Sequence, residues 1–150
     1  MNSPGLKNLG DVSLAAINAA TTATVVTSSP SAANGETVAY VDGLEGMLAA
    51  SLQVNFNYGA GGTSIKVIVE TSLDAGQTWV EVWRCALTTS SEENVINLSG
   101  LTPKTTPVTP AALTDDTCLD GIFGDRWRSK VLTVGAYTGN TSLQVRLHAR

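Results

Sequence analysis

The 150-residue sequence has one histidine, His148, and two cysteines, Cys85 and Cys118. A single histidine excludes, within one chain, a serine–histidine–aspartate triad and any metal site built from several imidazoles. The cysteines lie far apart and show none of the short spacings of zinc or redox motifs. We expect two free thiols that are buried or partly buried, with a disulfide as the alternative.

Charged residues are also scarce, at 15% of the chain. The acidic residues form no pair in an apolar setting such as a glycosidase requires. Glu92-Glu93 and Asp115-Asp116 lie in polar segments, where solvated charges are expected. Asp115, Asp116 and Asp120 offer carboxylates to calcium but lack the spacing of a calcium loop. The sequence therefore predicts no catalytic residue, no metal site and no cofactor, and we expect a protein that is not an enzyme.

Long apolar runs are missing as well. No run approaches the roughly 20 residues that a membrane-spanning helix needs. The N-terminal residues lack the basic stretch and apolar core of a secretion signal. We therefore expect a protein that is made in a reducing cytoplasm and has no membrane partner.

Basic residues are few and unevenly placed. The net charge is −4, yet five of the nine basic residues lie in the last 25 positions: Arg126, Arg128, Lys130, Arg146 and Arg150. These five are few and belong to a net acidic chain, so nucleic acid is not expected as a partner. Contact with a protein surface is the favoured interpretation.

The chain is poor in the helix formers Glu, Lys, Arg and Gln and rich in β-branched and turn-forming residues such as Thr, Val, Ser and Gly, which favours strands and turns over helices. Apolar and polar residues alternate without a fault in 51–58 and in 142–149. In the second of these segments Arg146 and His148 lie on the outward face. A further strand is predicted at 126–134. If it pairs antiparallel with 142–149, their polar faces would combine into one basic stripe.

Residues 63–71 and 79–87 read as two strands joined by a tight turn. The turn has the spacing Ser-x-Asp-x-Gly-x-Thr-Trp, filled by Ser72, Asp74, Gly76, Thr78 and Trp79. An Asp side chain accepts backbone N–H bonds in such a turn, and Gly adopts positive φ. The spacing resembles the Asp-box hairpin of sialidases and of many non-enzymatic β proteins. We interpret Asp74 as a structural residue of its own turn rather than as a sugar ligand.

The segment 51–58 connects to this hairpin through the glycine-rich loop 59–62, which predicts a three-stranded meander. Trp79 and Trp83 are four residues apart and are therefore expected on one face of a strand. Together with Trp127 they are interpreted as core anchors, and a carbohydrate-stacking platform is the alternative.

About eight strands with turn signals every 8 to 12 residues predict an all-β fold, an antiparallel two-sheet β-sandwich of jelly-roll-like type. Residues 1–22 are predicted as an extended N-terminal arm, and 23–150 as one sandwich domain with a long Thr/Pro loop at 99–117. Proline removes backbone donors, so this loop is not expected to form strand. The predicted partner-contact residues are Leu14, Ile17, Pro103, Pro107, Pro110, Arg126, Arg128, Arg146, His148 and Arg150.

Several segments resemble a family of small structural proteins of tailed bacteriophages. They are VDGLEGM at 41–47, FNYGAGGT at 56–63 running on to Thr78-Trp79, GIFGDRWR at 121–128 and GAYTGNTSL at 135–143. The resemblance spans about residues 40 to 145 and implies a β-sandwich on the capsid shell or near the head–tail region, with no family active site.

From this resemblance we expect a virion protein made in the host cytoplasm, most simply a capsid decoration (cement) protein. Its partner would be the major capsid protein or another virion protein, and a homo-oligomer such as a trimer is expected. Removal of residues 1–20 is then expected to leave a folded monomer that no longer adds to expanded heads. A head–tail joining or tail-associated protein is the first alternative, and a carbohydrate-binding β-sandwich module is the second.

Overall fold

The computed structural model describes residues 4–17, 23–26, 29–30, 37–38 and 40–150. In these residues it contains thirteen strands, five of them only two residues long, and one helical turn. In chain order they are β1 (Gly5–Ser13), α1 (Leu14–Ile17), β2 (Ala23–Val26), β3 (Ser29–Pro30), β4 (Thr37–Val38), β5 (Ala49–Asn57), β6 (Ala60–Gly61), β7 (Ser64–Ser72), β8 (Val80–Leu87), β9 (Glu92–Ser99), β10 (Thr117–Cys118), β11 (Arg126–Val134), β12 (Tyr137–Thr138) and β13 (Ser142–Ala149).

The long strands form two antiparallel sheets. The first sheet has the order β1-β13-β5-β9, and the second has the order β10-β8-β7-β11-β2. Two further pairs, β12-β6 and β3-β4, are short ribbons. The predicted all-β antiparallel fold is thus confirmed.

One hydrophobic core lies between the two sheets. Leu52 and Val145 of the first sheet are fully buried, as are Val67 and Val131 of the second, and all four belong to one cluster. The strict alternation predicted for β5 and β13 is confirmed, because their polar residues point away from this core. Two layers that share one core form a sandwich-like fold.

The predicted meander is wrong, because β5 and β7 lie in different sheets. β5 pairs with β13 and β9, whereas β7 pairs with β8 and β11. The loop 59–62 connects the first sheet to the second. Within it, the Gly62 N–H donates to the Ala136 carbonyl at 2.8 Å. Gly62 has φ +68°, and a Cβ there would lie 2.4 Å from the Tyr137 ring. The glycines thus serve a crossing between sheets rather than a hairpin.

β11 and β13 do not pair, so the condition for a basic stripe is not met. β11 pairs with β7 and β2, and β13 pairs with β1 and β5. A period-two pattern determines which face of a strand is buried but does not determine its neighbour. As a result Arg128 and Arg146 lie on the outer faces of different sheets, and the predicted basic stripe does not form.

The N-terminal segment is a strand of the first sheet rather than an arm. β1 pairs with β13 from Gly5↔Ala149 to Ser13↔Ser142, with a bulge at Leu9. The Leu9 side chain is 1% exposed, and its carbonyl accepts the Ser129 hydroxyl at 2.9 Å. The arm prediction is therefore wrong for 5–14, and the remainder of 1–22 lies largely outside the described residues. The strand is not predicted from the sequence, because the extra residue of the bulge breaks the alternation of apolar and polar residues.

A second bulge separates two of the tryptophans. Between β7 and β8 the register passes from Val69↔Trp83 to Glu70↔Glu81, so Val82 is an extra residue. Trp83 is 4% exposed and lies in the core, whereas Trp79 is half-buried and packs on the outer side against Arg128. The expectation that Trp79 and Trp83 share a face is therefore wrong, although Trp83 and Trp127 are core residues as predicted.

Candidate partner-binding surfaces

The turn at 72–79 is held together by its own side chains. The Asp74 carboxylate accepts the Thr78 N–H and the Thr78 hydroxyl, both at 2.7 Å, and the Ser72 hydroxyl at 2.9 Å. The Ser72 oxygen in turn accepts the Gly76 N–H at 2.8 Å, and the Trp79 indole N–H donates to the Gly76 carbonyl at 3.1 Å. The five residues of the sequence pattern thus form one hydrogen-bond network, in which the Asp74 carboxylate stabilises the turn.

The turn is also tied to β11. Arg126 donates to the Ala75 carbonyl and lies over the Tyr40 ring, with its guanidinium carbon 4.7 Å from the ring centroid. Ala75 and Gly76 have positive φ, +59° and +88°. Because Arg126 joins the turn to the second sheet, this predicted partner contact is engaged within the chain.

The Asp74 network predicts a pH-dependent contribution to stability. Hydrogen bonds from the Thr78 hydroxyl and the Thr78 N–H lower the pKa of Asp74 from 3.8 to about 2. A pKa that is depressed in the folded state contributes stability above the unfolded pKa, and this contribution is lost as the pH falls through the folded pKa. We expect Asp74→Ala to lower the free energy of unfolding at neutral pH, and the difference from wild type to shrink between about pH 4 and about pH 2.

Urea unfolding of both proteins across this pH range measures the effect. Glu45→Ala is the matched control, because it removes an exposed carboxylate of the neighbouring segment 44–47. If the difference in the free energy of unfolding between wild type and Asp74→Ala stays constant down to about pH 2, the role given to the ionised Asp74 is contradicted.

The outer face of the second sheet carries a buried carboxylate. Glu70 is 4% exposed and lies between Arg128 Nε at 2.6 Å and Lys130 Nζ at 2.7 Å. The Arg128 guanidinium also stacks on the Trp79 ring, 4.0 Å from its centroid. Arg128 therefore neutralises Glu70 and covers Trp79, so this predicted contact residue is largely engaged within the chain.

The outer face of the first sheet contains the remaining basic candidates. Arg146 binds Asp11 Oδ1 and Asn8 Oδ1, each at 2.8 Å, and so connects β13 to β1. His148 and Arg150 are exposed, as predicted. Leu14 is 2% exposed and packs in the core, which makes the prediction of a partner contact at Leu14 wrong. The Ile17 side chain lies outside the described residues.

The Thr/Pro loop, residues 99–117, is the most exposed long segment of the described chain. Every residue from 103 to 112 is exposed, including Pro103, Pro107 and Pro110. Lys104 is the single charged residue between 99 and 114. As predicted, 100–116 form no strand. The sandwich thus presents a long, nearly uncharged segment to its surroundings.

Carboxylates fix both ends of this loop. At the first end Asp120 accepts the Ser99 N–H at 2.6 Å, the Gly121 N–H at 2.9 Å and the Thr102 hydroxyl at 2.9 Å. Burial raises the pKa of Asp120, but the hydrogen bonds from Ser99 and Thr102 outweigh it and the pKa is lowered. At the second end Glu81 accepts the Leu113 N–H at 2.9 Å.

Two neighbouring aspartates reinforce the second end. Asp116 accepts the Ala86 N–H at 2.9 Å, and Asp115 pairs with Lys66 at 2.9 Å. Both side chains are exposed, as expected of solvated charges, but each also makes a structural contact. Their partners lie far away in the sequence, so no local pattern indicates this role. Within the described residues no three His, Cys, Asp or Glu side chains are grouped so as to hold a metal ion.

The cysteines are both free, as expected. Cys85 is buried, and burial raises the pKa of its thiol to about 12. Cys118 is exposed beside the second end of the Thr/Pro loop, contrary to the expectation of two buried or partly buried thiols. Cys118 is therefore the accessible attachment point for a thiol-directed label.

Comparison with known proteins yields no relative. No protein-family model, no curated protein and no solved structure matches this chain. Among the described residues no helix has the length and apolar character to cross a membrane.

Proposed function

We propose that the protein is a non-enzymatic structural component of a tailed-phage virion, and specifically a decoration (cement) protein that binds the head shell. The observation that carries this proposal is the Thr/Pro loop, which a rigid sandwich presents in full exposure from 103 to 112. The partner would be the major capsid protein or another virion protein, reached after synthesis in the host cytoplasm.

The loop has the physical character of a contact element. Three prolines in 103–110 restrict the backbone before binding, which reduces the entropy lost when the loop is ordered against a partner. Its low charge lowers the cost of removing it from water, in line with the depletion of charge at the centre of protein interfaces. Anchoring by Asp120 and Glu81 fixes where the loop leaves the sandwich.

The segments that resemble the phage family also lie together. Val41 and Trp127 exchange backbone hydrogen bonds at 2.7 and 2.9 Å, and Leu44 N–H donates to the Asp125 carbonyl at 3.2 Å. Residues 41–47 and 121–128 thus form one structural unit beside the turn at 72–79. This unit supports a common fold with the phage proteins.

The order of the strands supports a jelly-roll fold for this proposal. Outward along the chain from the hairpin β7-β8, β5 pairs with β9, then β2 pairs with β11, and finally β1 pairs with β13. Successive pairs lie alternately in the second and the first sheet. Such nesting of strands that alternate between two sheets is typical of two interlocked Greek keys. A homo-oligomer such as a trimer would present several Thr/Pro loops to neighbouring capsomers at once, which raises avidity without new contacts.

The carbohydrate-binding alternative loses support from the tryptophans. Trp83 and Trp127 are buried, and Arg128 covers the Trp79 ring. A stacking platform needs an open aromatic face. The head–tail or tail-associated alternative shares the same structural features and differs from the decoration role in position on the particle.

Exchange of the loop tests the proposal. We expect replacement of 103–112 by a Gly/Ser segment of equal length to raise the Kd for phage heads by about tenfold or more, because flexibility and lost apolar contact both weaken binding. The ends of the loop stay intact, so the thermal transition is expected to remain close to that of wild type.

Sedimentation of purified heads with added protein measures this binding. The matched control replaces Thr89 and Ser90, which are exposed on another loop, by glycine. Binding of the 103–112 variant at wild-type affinity would overturn the role of the loop.

A further inference from the structure

A groove lies beside the turn at 72–79. It has a volume of about 640 Å³ and is bounded by the turn, by residues 44–47 and by residues 123–125. Its floor is apolar, since Leu44 is 3% exposed, Met47 is 9% exposed and Phe123 is half-buried. Leu73 forms one lip and is 64% exposed. We call this feature the acidic groove, because Glu45, Asp74 and Asp125 line it.

Three carboxylates line the acidic groove. Glu45 is exposed, and Asp74 stays ionised at neutral pH because its pKa is about 2. Asp125 lies 3.8 Å from Arg126 Nε, and the described residues that line the groove include no lysine or arginine. The lining therefore combines an apolar floor with an excess of negative charge.

The floor of the groove is supported by core packing and by a hydrogen bond. The Phe123 ring packs edge-on against Trp127, with 5.2 Å between ring centroids, and Trp127 is 1% exposed. The Trp127 indole N–H donates to the Gly124 carbonyl at 3.1 Å. A preformed floor of this kind lowers the ordering cost of binding.

The groove adjoins the first end of the Thr/Pro loop. A Cβ placed on Gly100 would lie 3.4 Å from the Phe123 ring, and Gly100 N–H donates to the Leu48 carbonyl at 2.8 Å. One partner surface that contacts the loop therefore also lies within reach of the groove.

We propose that the acidic groove binds a basic side chain, arginine or lysine, on a segment of the partner protein. These side chains join an apolar stem to a cationic head, and they cover apolar surface with the stem while the head stays near water. The Leu44, Met47 and Phe123 surfaces match the stem, and Glu45 and Asp125 match the head. The identity of the partner rests on the proposed function, but the chemistry of the groove does not.

Small probes test the groove without a partner. We expect n-butylguanidinium to cause saturable shifts of the amide resonances of Gly46, Ala75, Gln77 and Gly124 in a ¹⁵N-labelled protein. n-Butanol, which has the same stem without the charge, is expected to bind more weakly by about fivefold or more, on the scale of two exposed charge pairs. Equal binding of the two probes, or no saturable shift at these amides, would overturn the proposal.

Variants locate the charge requirement. The double variant Glu45→Gln, Asp125→Asn keeps Asp74 and the turn intact and is expected to remove most of the preference for n-butylguanidinium. The matched control Glu92→Gln, Glu93→Gln removes two exposed carboxylates at another site and is expected to bind as wild type. A preference that survives in the Glu45, Asp125 variant would overturn the proposal.

Particle binding separates this inference from the proposed function. If heads bind the wild type but bind the Glu45→Gln, Asp125→Asn variant equally well, the groove has no role in docking and the decoration role stands. If heads do not bind the wild type, the decoration role fails, and the probe titration still decides the chemistry of the groove.

Discussion

Removal of residues 1–13 is expected to leave a chain that does not fold cooperatively. β1 pairs with β13 along its whole length, and β13 lies between β1 and β5 in the first sheet. Truncation exposes one edge of β13 and leaves the space of the buried Leu9 side chain empty. Loss of a buried leucine alone costs about 2–5 kcal/mol, and a domain has only about 5–15 kcal/mol of stability in total.

Thermal unfolding followed by circular dichroism measures this effect on chains 1–150 and 14–150. Leu9→Ala is expected to lower stability by about 2–5 kcal/mol. The matched control Leu6→Ser changes a leucine of the same strand that is 68% exposed, and it is expected to stay within about 0.5 kcal/mol of wild type. A truncated chain that unfolds at the wild-type temperature would show that the segment is an arm after all.

Gly124→Ala is expected to destabilise the protein by about 3 kcal/mol or more, at the upper end of overpacking effects. A Cβ at this position would lie 1.7 Å from the Ser72 carbonyl oxygen and 2.3 Å from its carbon. These are backbone atoms at the end of β7, so no side-chain rotation relieves the clash. Movement of 124 would also weaken the bond from Gly124 N–H to the Thr71 hydroxyl oxygen, now 2.9 Å.

Urea unfolding of Gly124→Ala and of a control glycine variant separates this clash from the general effect of a methyl group. At Gly100 the nearest atom to a new Cβ lies at 3.4 Å, an ordinary contact. Gly100→Ala is therefore expected to stay within about 1 kcal/mol of wild type. Equal stabilities of the two variants would contradict the close approach of Gly124 to β7.

The elements that the sequence predicts well depend on local patterns. β5 and β13 follow from alternation alone, because each has one face in the core and one in solvent. The turn at 72–79 follows from spacing, because every partner of Asp74 lies within four residues of it. The absence of strand in the Thr/Pro loop follows from its prolines, which remove backbone donors.

The elements that the sequence does not predict depend on contacts between residues that are far apart in the chain. The bulge at Leu9 breaks the apolar–polar alternation of β1. The bulge at Val82 places Trp79 and Trp83 on opposite faces of the sheet. The loop anchors Asp120 and Glu81 bind residues 21 and 32 positions away. Strand neighbours are likewise set by the packing of the whole core, which no single window of sequence contains.

The central claim is that this sandwich decorates a phage head through its Thr/Pro loop, and the most direct measurement is a cryo-electron microscopy map of particles that contain the protein. Labelling at the exposed Cys118 marks the loop end of the molecule. The account predicts sandwich-shaped density distributed over the head shell, with residues 103–112 against the capsid surface. Density confined to one vertex or to the tail, or a loop that points into solvent, would contradict it.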